Sequence, residues 1–318
     1  MTHPTHPTRR TLMIGGATLA LTLVAGADGA RSESVETASV EGTVRIPVGG
    51  RELIGILDGN IALPAGLFSG ATDEELGALL NGDAANGFIN AFVVRGPDDT
   101  VLVDAGGGSL VGPSAGKLAE RLGALGIGPG EIDLVLMTHL HPDHFGGLLT
   151  ESALVREDAQ LVLHERERAF WLDDENMRAA VRANGEQAQG FFMAARGVLE
   201  RFGERVTPIN GDGDVPGGMR SVGLFGHTPG HTGYALDEGD ETLLIWGDIV
   251  HAPAVQFPRP DVTIAFDVDP QAARATRLRA FDMAATDKMA VAGMHLAFPA
   301  VGRVELRDGG GFAFVPVA

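Results

Sequence analysis

Thr138-His-Leu-His-Pro-Asp-His-Phe-Gly-Gly147 is the stretch whose reading decides the fold. His139, His141, Asp143 and His144 crowd into six positions, and each carries a lone pair that a metal can take. The apolar run Asp133-Leu-Val-Leu-Met-Thr138 just upstream reads as a buried strand. Pro142 keeps the segment from continuing as a regular element, so a loop on a rigid strand end is expected to present the four groups. Alone, the cluster could be a loop of solvated histidines; three further segments argue otherwise. Gly226-His-Thr-Pro-Gly-His-Thr232 follows the apolar run Ser221–Phe225. Leu243-Leu-Ile-Trp-Gly-Asp248 delivers a carboxylate at a strand tip, and Met289-Ala-Val-Ala-Gly-Met-His295 delivers an imidazole. This donor set is too large for one tetrahedral zinc, which takes four ligands. It suits two metals sharing a carboxylate and a hydroxide. The chain has no cysteine, so thiolates are excluded and metals that take nitrogen and oxygen donors are implied.

HxHxDH, then GHTPGH, then a strand ending in Gly-Asp, then a late histidine, resembles the metallo-β-lactamase superfamily. Several phrases resemble its methyl parathion hydrolase-like branch: Val101-Leu-Val-Asp-Ala-Gly106, Gly190-Phe-Phe192, Ala254-Val-Gln-Phe257, Met294-His-Leu-Ala-Phe-Pro299 and Phe312-Ala-Phe-Val-Pro-Val317. The resemblance runs from about residue 40 to the C-terminus. It implies that His139, His141 and His227 hold one metal, that Asp143, His144 and His295 hold the other, and that Asp248 bridges both. Zinc leads among the implied metals, with Mn, Co or Fe as alternatives. His231 and Asp104 are implied to support the site from behind rather than to bind metal, Asp104 by anchoring loops beneath it. The implied chemistry is hydrolysis by a bridging hydroxide at a carbonyl or phosphoryl centre, with Asp143 and Asp248 as the carboxylates that take part.

The resemblance further implies an aromatic cleft for the leaving group. Trp171 and Phe191 match two of its positions; the third is Val111, which disfavours aryl phosphotriesters. At helical spacing Phe191, Ala195, Val198 and Phe202 share a core face. Phe192 and Met193 fall off it, as candidates for the substrate cleft or for a contact between subunits of a homodimer. His251 is a further candidate for the pocket, where lactonases of the superfamily use a tyrosine that Tyr234 does not match.

Charge and composition bound the rest. A formal net charge of −18 over 318 residues repels nucleic acid and favours a small neutral ester-like substrate. The first thirty residues read as a twin-arginine signal, with Arg9 and Arg10 before an apolar stretch from Leu12 to Ala25 that is short for a membrane span. Periplasmic or secreted localisation, without stable membrane association after cleavage, is the expectation. A polar linker spans 31–41, and a single hydrolase domain is expected over 42–318. Strand-like runs include Glu52–Leu57, Phe88–Val94, Thr100–Asp104, Gln160–His164 and Thr242–Trp246; helical patterns fit Asp73–Leu80, Ser114–Leu125 and Pro270–Ala284. Their interleaving predicts an α/β protein, an αββα sandwich with the metals at one sheet edge. The expected reaction is cleavage of an ester or lactone, with side activity on organophosphate triesters. A phosphotriesterase proper is the alternative, and a non-catalytic metal-binding protein is the reading of another class.

Overall fold

In the computed structural model, residues 40–97, 99–151, 154–239 and 241–317 are described. The expected signal (1–30) and nearly all of the linker (31–41) lie outside the described residues. Strands in the first half are β1 (Thr43–Val48), β2 (Arg51–Pro64), β3 (Phe68–Ser69), β4 (Ala84–Arg95), β5 (Thr100–Val103), β6 (Leu134–Leu136), β7 (Gln160–His164) and β8 (Val206–Ile209). The second half supplies β9 (Gly213–Val215), β10 (Met219–Gly223), β11 (Thr232–Glu238), β12 (Glu241–Ile245), β13 (Thr263–Ile264), β14 (Ala290–Ala292), β15 (Val301–Leu306) and β16 (Phe312–Pro316). The helices are α1 (Asp73–Leu80), α2 (Leu118–Ala124), α3 (Pro142–Thr150), α4 (Glu165–Leu172), α5 (Asp174–Asn184), α6 (Gln187–Phe202), α7 (Pro253–Gln256) and α8 (Pro270–Thr286).

Two seven-stranded sheets result among the described residues, in the orders β1-β2-β4-β5-β6-β7-β8 and β16-β15-β14-β12-β11-β10-β9. From β5 to β8 the pairing is parallel, and β5 is buried along its whole length, as parallel strands covered on both faces are. Alternation sorts the side chains into layers. Leu53, Phe92, Val94, Val101, Val103 and Leu136 meet Tyr234, Leu236, Ile245 and Val291 of the second sheet. Their neighbours Ile54, Val93, Leu102, Val135 and Leu161 turn outward to Leu118 of α2, Phe145 of α3 and Phe192, Ala195 and Phe202 of α6. On the far side α8 packs against β15, with Phe281 and Ala284 in the inter-sheet core cluster. The architecture is the αββα sandwich. No helix among the described residues is long and apolar enough to cross a membrane.

Three expectations change. Pro142 does not interrupt structure: it opens α3, with His141 as the N-cap. A first-turn proline needs no donor and has its φ preset, so it starts a helix as well as it ends one. Asp143 and His144 therefore ride on a helix rather than a loop. The expected helix from Ser114 begins only at Leu118, because Asp58 holds the backbone N–H of Gly116 and Leu118 in a non-helical approach. On α6 the buried residues are Ala188, Phe192, Ala195, Val198, Leu199 and Phe202, so Ala195, Val198 and Phe202 form the core face as expected and Phe192 takes the place expected for Phe191. Phe191 is 45% exposed and Phe192 2%. Ala195, Val198 and Phe202 serve either phase at helical spacing, which is why the pattern alone could not separate the two rings.

Candidate metal centre

His139, His141, His227, Asp248 and His295 sit just beyond strand ends, and Asp143 and His144 lie in the first turn of α3. After β5 the chain turns at Asp104, whose φ of 56° lies in the left-handed region, where aspartate is tolerated better than most residues. Its carboxylate accepts the Thr138 N–H at 2.8 Å and the Thr138 hydroxyl at 2.7 Å, pinning the end of the β6 segment. It also takes Nδ1 of His144 at 2.7 Å. Asp104 thus anchors a loop and orients a ring at once.

The same arrangement recurs round the cluster. His227 gives its Nδ1–H to Asp267 (2.9 Å), and His295 gives its own to the Phe88 carbonyl (2.6 Å). His139 Nδ1 meets the Thr138 hydroxyl at 3.0 Å, and that hydroxyl's own hydrogen is committed to Asp104. With Nδ1 bonded outward, the Nε2 atoms of His139, His144, His227 and His295 all point inward, where an ion can take their lone pairs in place of a proton. Outer partners fix ring tautomers in this way at metal sites.

Among the described residues three sets of donor atoms lie close enough to hold an ion: His139, His141, His227 and Asp248; then Asp143, His144 and His295; and, overlapping both, Asp248, His251 and His295. In the first, Nε2 of His139 and of His227 lie 3.0 and 2.9 Å from Nδ1 of His141. The same two nitrogens lie 3.6 and 3.2 Å from Asp248 Oδ2. A tetrahedral ion with bonds of about 2.0–2.1 Å separates its ligand atoms by roughly 3.3 Å, so the group fits such an ion. In the second, Asp143 Oδ2 lies 3.7 Å from His144 Nε2 and 3.5 Å from His295 Nε2. Asp248 reaches across both, with Oδ1 3.3 Å from His144 and Oδ2 3.2 Å from His295. His144 Nε2 and Asp248 Oδ1 are buried without a hydrogen-bond partner, the condition of a lone pair meant for an ion. Burial opposes ionisation of Asp248, but the surrounding imidazoles hold its pKa well below the usual carboxylate range.

His231 stands behind this bridge. Its Nε2 accepts the Asp248 backbone N–H at 2.9 Å while Nδ1 donates to the Leu224 carbonyl. Burial, with the neighbouring His227 charge, lowers its pKa to about 3, so it stays neutral. Gly247 has φ +58°, and a Cβ there would lie 2.3 Å from His231 Nε2, so only glycine fits between them. His251 is fully inside the site rather than solvated: Nε2 is 3.1 Å from Asp248 Oδ2 and the ring stacks on His295 at 4.9 Å. Its Nδ1 has no hydrogen-bond partner.

The pocket candidates separate. Trp171 is buried edge-on to His141, with ring centroids 5.7 Å apart, and Phe192 packs on it at 4.6 Å. Phe191 is the exposed ring of the pair and has no aromatic partner among the described residues. Val111 folds back over its own turn, with Cγ2 2.2 Å from where a Cβ on Gly107 would stand. Tyr234 donates to the Met137 carbonyl in the core. Three supporting carboxylates were not singled out from the sequence: Asp58, Asp267 and Glu167. Asp58 sits at the irregularity in β2 between Leu57 and Gly59 and gathers the N–H groups of Gly107, Gly116 and Leu118. Each is a lone acid with no motif around it, and the chain has 42 acids to choose among.

Residues 84–295 match the metallo-beta-lactamase superfamily, and the chain belongs to that superfamily. It is a hydrolase of that superfamily, which sets aside the non-catalytic reading. Among solved structures it is similar to the hydrolase AbOPH of the beta lactamase superfamily, at 29% identity over 88% of this chain and 99% of that one, with a TM-score of 0.82. AidC, a dizinc quorum-quenching lactonase, shares the fold at 24% identity over 87% and 98% of the two chains, with a TM-score of 0.79. Metallo-beta-lactamase domain-containing protein 1 of Mus musculus is 38% identical over 98 residues, 30% of this chain and 34% of that protein. The match thus spans about a third of that relative.

Proposed function

We propose that this hydrolase holds two zinc ions and cleaves a neutral ester or lactone, as a member of the methyl parathion hydrolase-like branch. The carrying observation is that Asp248 belongs to the His139, His141 and His227 group and also lies 3.3 Å from His144 and 3.2 Å from His295 of the other. Imidazole and carboxylate donors with no thiolate suit zinc, and the ligand separations suit its bond lengths. Two divalent ions there would lower the pKa of a shared water to about 7 and polarise the substrate's oxygen.

The chain's own groups complete the chemistry. Asp143 is the carboxylate of the cluster nearest solvent, with its side chain 15% exposed, so it can receive a proton and pass it on. His251, with Nε2 3.1 Å from Asp248 Oδ2, is a further donor at this edge of the site. Trp171 walls the site next to His141 and keeps water off that side. Among the described residues, Asp143 and Asp248 pair only with imidazoles, never with lysine or arginine. An anionic substrate group would find no fixed cationic side chain there, which favours a neutral substrate.

Phosphotriester hydrolysis is the second reading, supported by the Trp171 ring at the His141 edge. Two rather than three aromatic positions of that cleft are matched in sequence, and one of the two, Phe191, faces solvent. The test is kcat/KM for lactones, aryl esters, thioesters, β-lactams and phosphotriesters on the zinc-, manganese- and cobalt-loaded protein. Esters or lactones should lead by tenfold or more; a lead for phosphotriesters would reverse the assignment. Export by the twin-arginine route is also proposed, supported by Arg9 and Arg10 before the apolar stretch.

A further inference from the structure

We infer that the buried carboxylate of Glu167 is the strut that fixes the two histidine loops of one metal subsite against each other, and so sets that subsite's affinity separately from the other's. This rests on the two-metal reading above. Glu167 is fully buried on the first turn of α4 and forms no ion pair with lysine or arginine among the described residues. Its charge is met by four donors instead. Oε1 accepts the Leu140 N–H at 2.9 Å and the Trp171 indole N–H at 2.7 Å. Oε2 accepts the Thr228 hydroxyl at 2.6 Å and the Gly230 N–H at 3.0 Å.

The identity of these donors gives the inference its direction. Leu140 lies between His139 and His141. Thr228 follows His227, and Gly230 lies two residues further along the same loop. Trp171 is the ring against His141. All three imidazoles of one subsite are therefore within one residue of a Glu167 partner, whereas none of the four donors adjoins Asp143, His144 or His295 in the chain. The two loops follow strands of different sheets, β6 and β10, so their spacing is not set by one ladder. Gly230 shows how tightly α4 is seated: a Cβ there would lie 2.3 Å from the Glu167 nitrogen.

Glutamine keeps the shape but cannot keep the bonds. Its oxygen can serve only one pair of donors, and its NH2 must face the other. Facing Leu140 and Trp171, it meets two N–H groups that cannot accept. Facing Thr228 and Gly230, it lets the hydroxyl turn round and strands only the Gly230 N–H. The second orientation costs less, so Glu167→Gln loosens the loop that carries His227. Thr228→Val removes one donor at nearly constant volume and acts in the same direction more weakly. It also keeps the test alive if Glu167→Gln does not fold.

Stepwise zinc binding to the full chain, by competition with a chromophoric chelator, reads this out without activity. His227→Ala and His295→Ala first assign each binding step to its subsite. Loss of outer-shell partners typically weakens a metal by 10–100-fold. Glu167→Gln should weaken by about that factor the step that His227→Ala removes, and should leave the other step nearly unchanged. A purely structural role for Glu167 would weaken both steps alike. Equal weakening, or no weakening in either variant, overturns the inference. Fewer than two ions on the wild-type chain would instead overturn the two-metal reading beneath it.

Discussion

Asp267→Asn removes a charge two shells from any substrate, and its consequence can be worked through bond by bond. Asp267 Oδ1 accepts the His227 Nδ1–H at 2.9 Å, and Oδ2 accepts the Ile264 N–H at 3.1 Å. Burial works against the charged form of the carboxylate, yet the His227 bond leaves its pKa below the usual range. In the metal-free chain burial lowers and the Asp248 and Asp267 bonds raise the His227 pKa, with a net result of about 9. An asparagine can keep its oxygen on His227 only by turning NH2 towards the Ile264 N–H. The bond to His227 then becomes neutral, and a charge-assisted bond of about 1.5–3 kcal/mol becomes one of about 0.5–1.5. The difference, roughly 1–1.5 kcal/mol, is about five- to tenfold in metal affinity. If the amide turns the other way, the His227 ring must protonate Nε2, and the lone pair leaves the site. The loss then reaches about a hundredfold. Zinc competition with a chromophoric chelator measures the affinity, and kcat/KM at saturating zinc measures what remains. Unchanged affinity in a folded Asp267→Asn protein would refute the tautomer argument for the whole ring of histidines.

Three other outcomes follow from separate parts of the molecule. Phe192→Ala should cost about 3–5 kcal/mol in chemical denaturation, whereas Phe191→Ala should stay within about 0.5; the reverse order would put Phe191 rather than Phe192 on the core face. In the metal-free chain, burial holds His231 at about 3 against 6.5 for the free group, so its neutrality stabilises the fold fully above pH 6.5 and is lost as pH falls towards 3. Between those limits His231→Gln should reduce the pH slope of unfolding free energy by about 1.4 kcal/mol per unit, and an unchanged slope would deny that the ring is buried neutral. Replacing Arg9 and Arg10 with Lys should leave unprocessed protein in the cytoplasm, as read by fractionation; normal export would mean a different signal.

Legibility in the sequence followed the range of the forces involved. Strands such as Gln160–His164 and the helix Asp73–Leu80 are delimited by local patterning and, for the helix, by the Thr72 and Glu75 capping box. The seven ligand candidates were visible because metal chemistry demands rare side chains at fixed offsets along short loops. Their supports were not. Glu167 and Asp267 act on loops 27 and 40 residues away in sequence, and only the folded chain brings them there. Strands β1, β8 and β9 had no strong alternation, since they lie at sheet edges and expose part of both faces. Pro142 misled because proline ends and begins helices by the same geometry, and the choice depends on what β6 delivers before it.

The central claim is that two ions share Asp248, and metal content of Asp248→Ala tests it most directly. The protein would be saturated with zinc, freed of loose metal by gel filtration, and analysed by mass spectrometry for zinc per chain. Wild type should hold two. The variant loses the one side chain among the described residues whose oxygens reach both groups, His144 at 3.3 Å and His227 and His295 at 3.2 Å. It should fall towards one zinc per chain and lose hydrolysis. Two zinc ions per chain with wild-type turnover in Asp248→Ala would contradict the account.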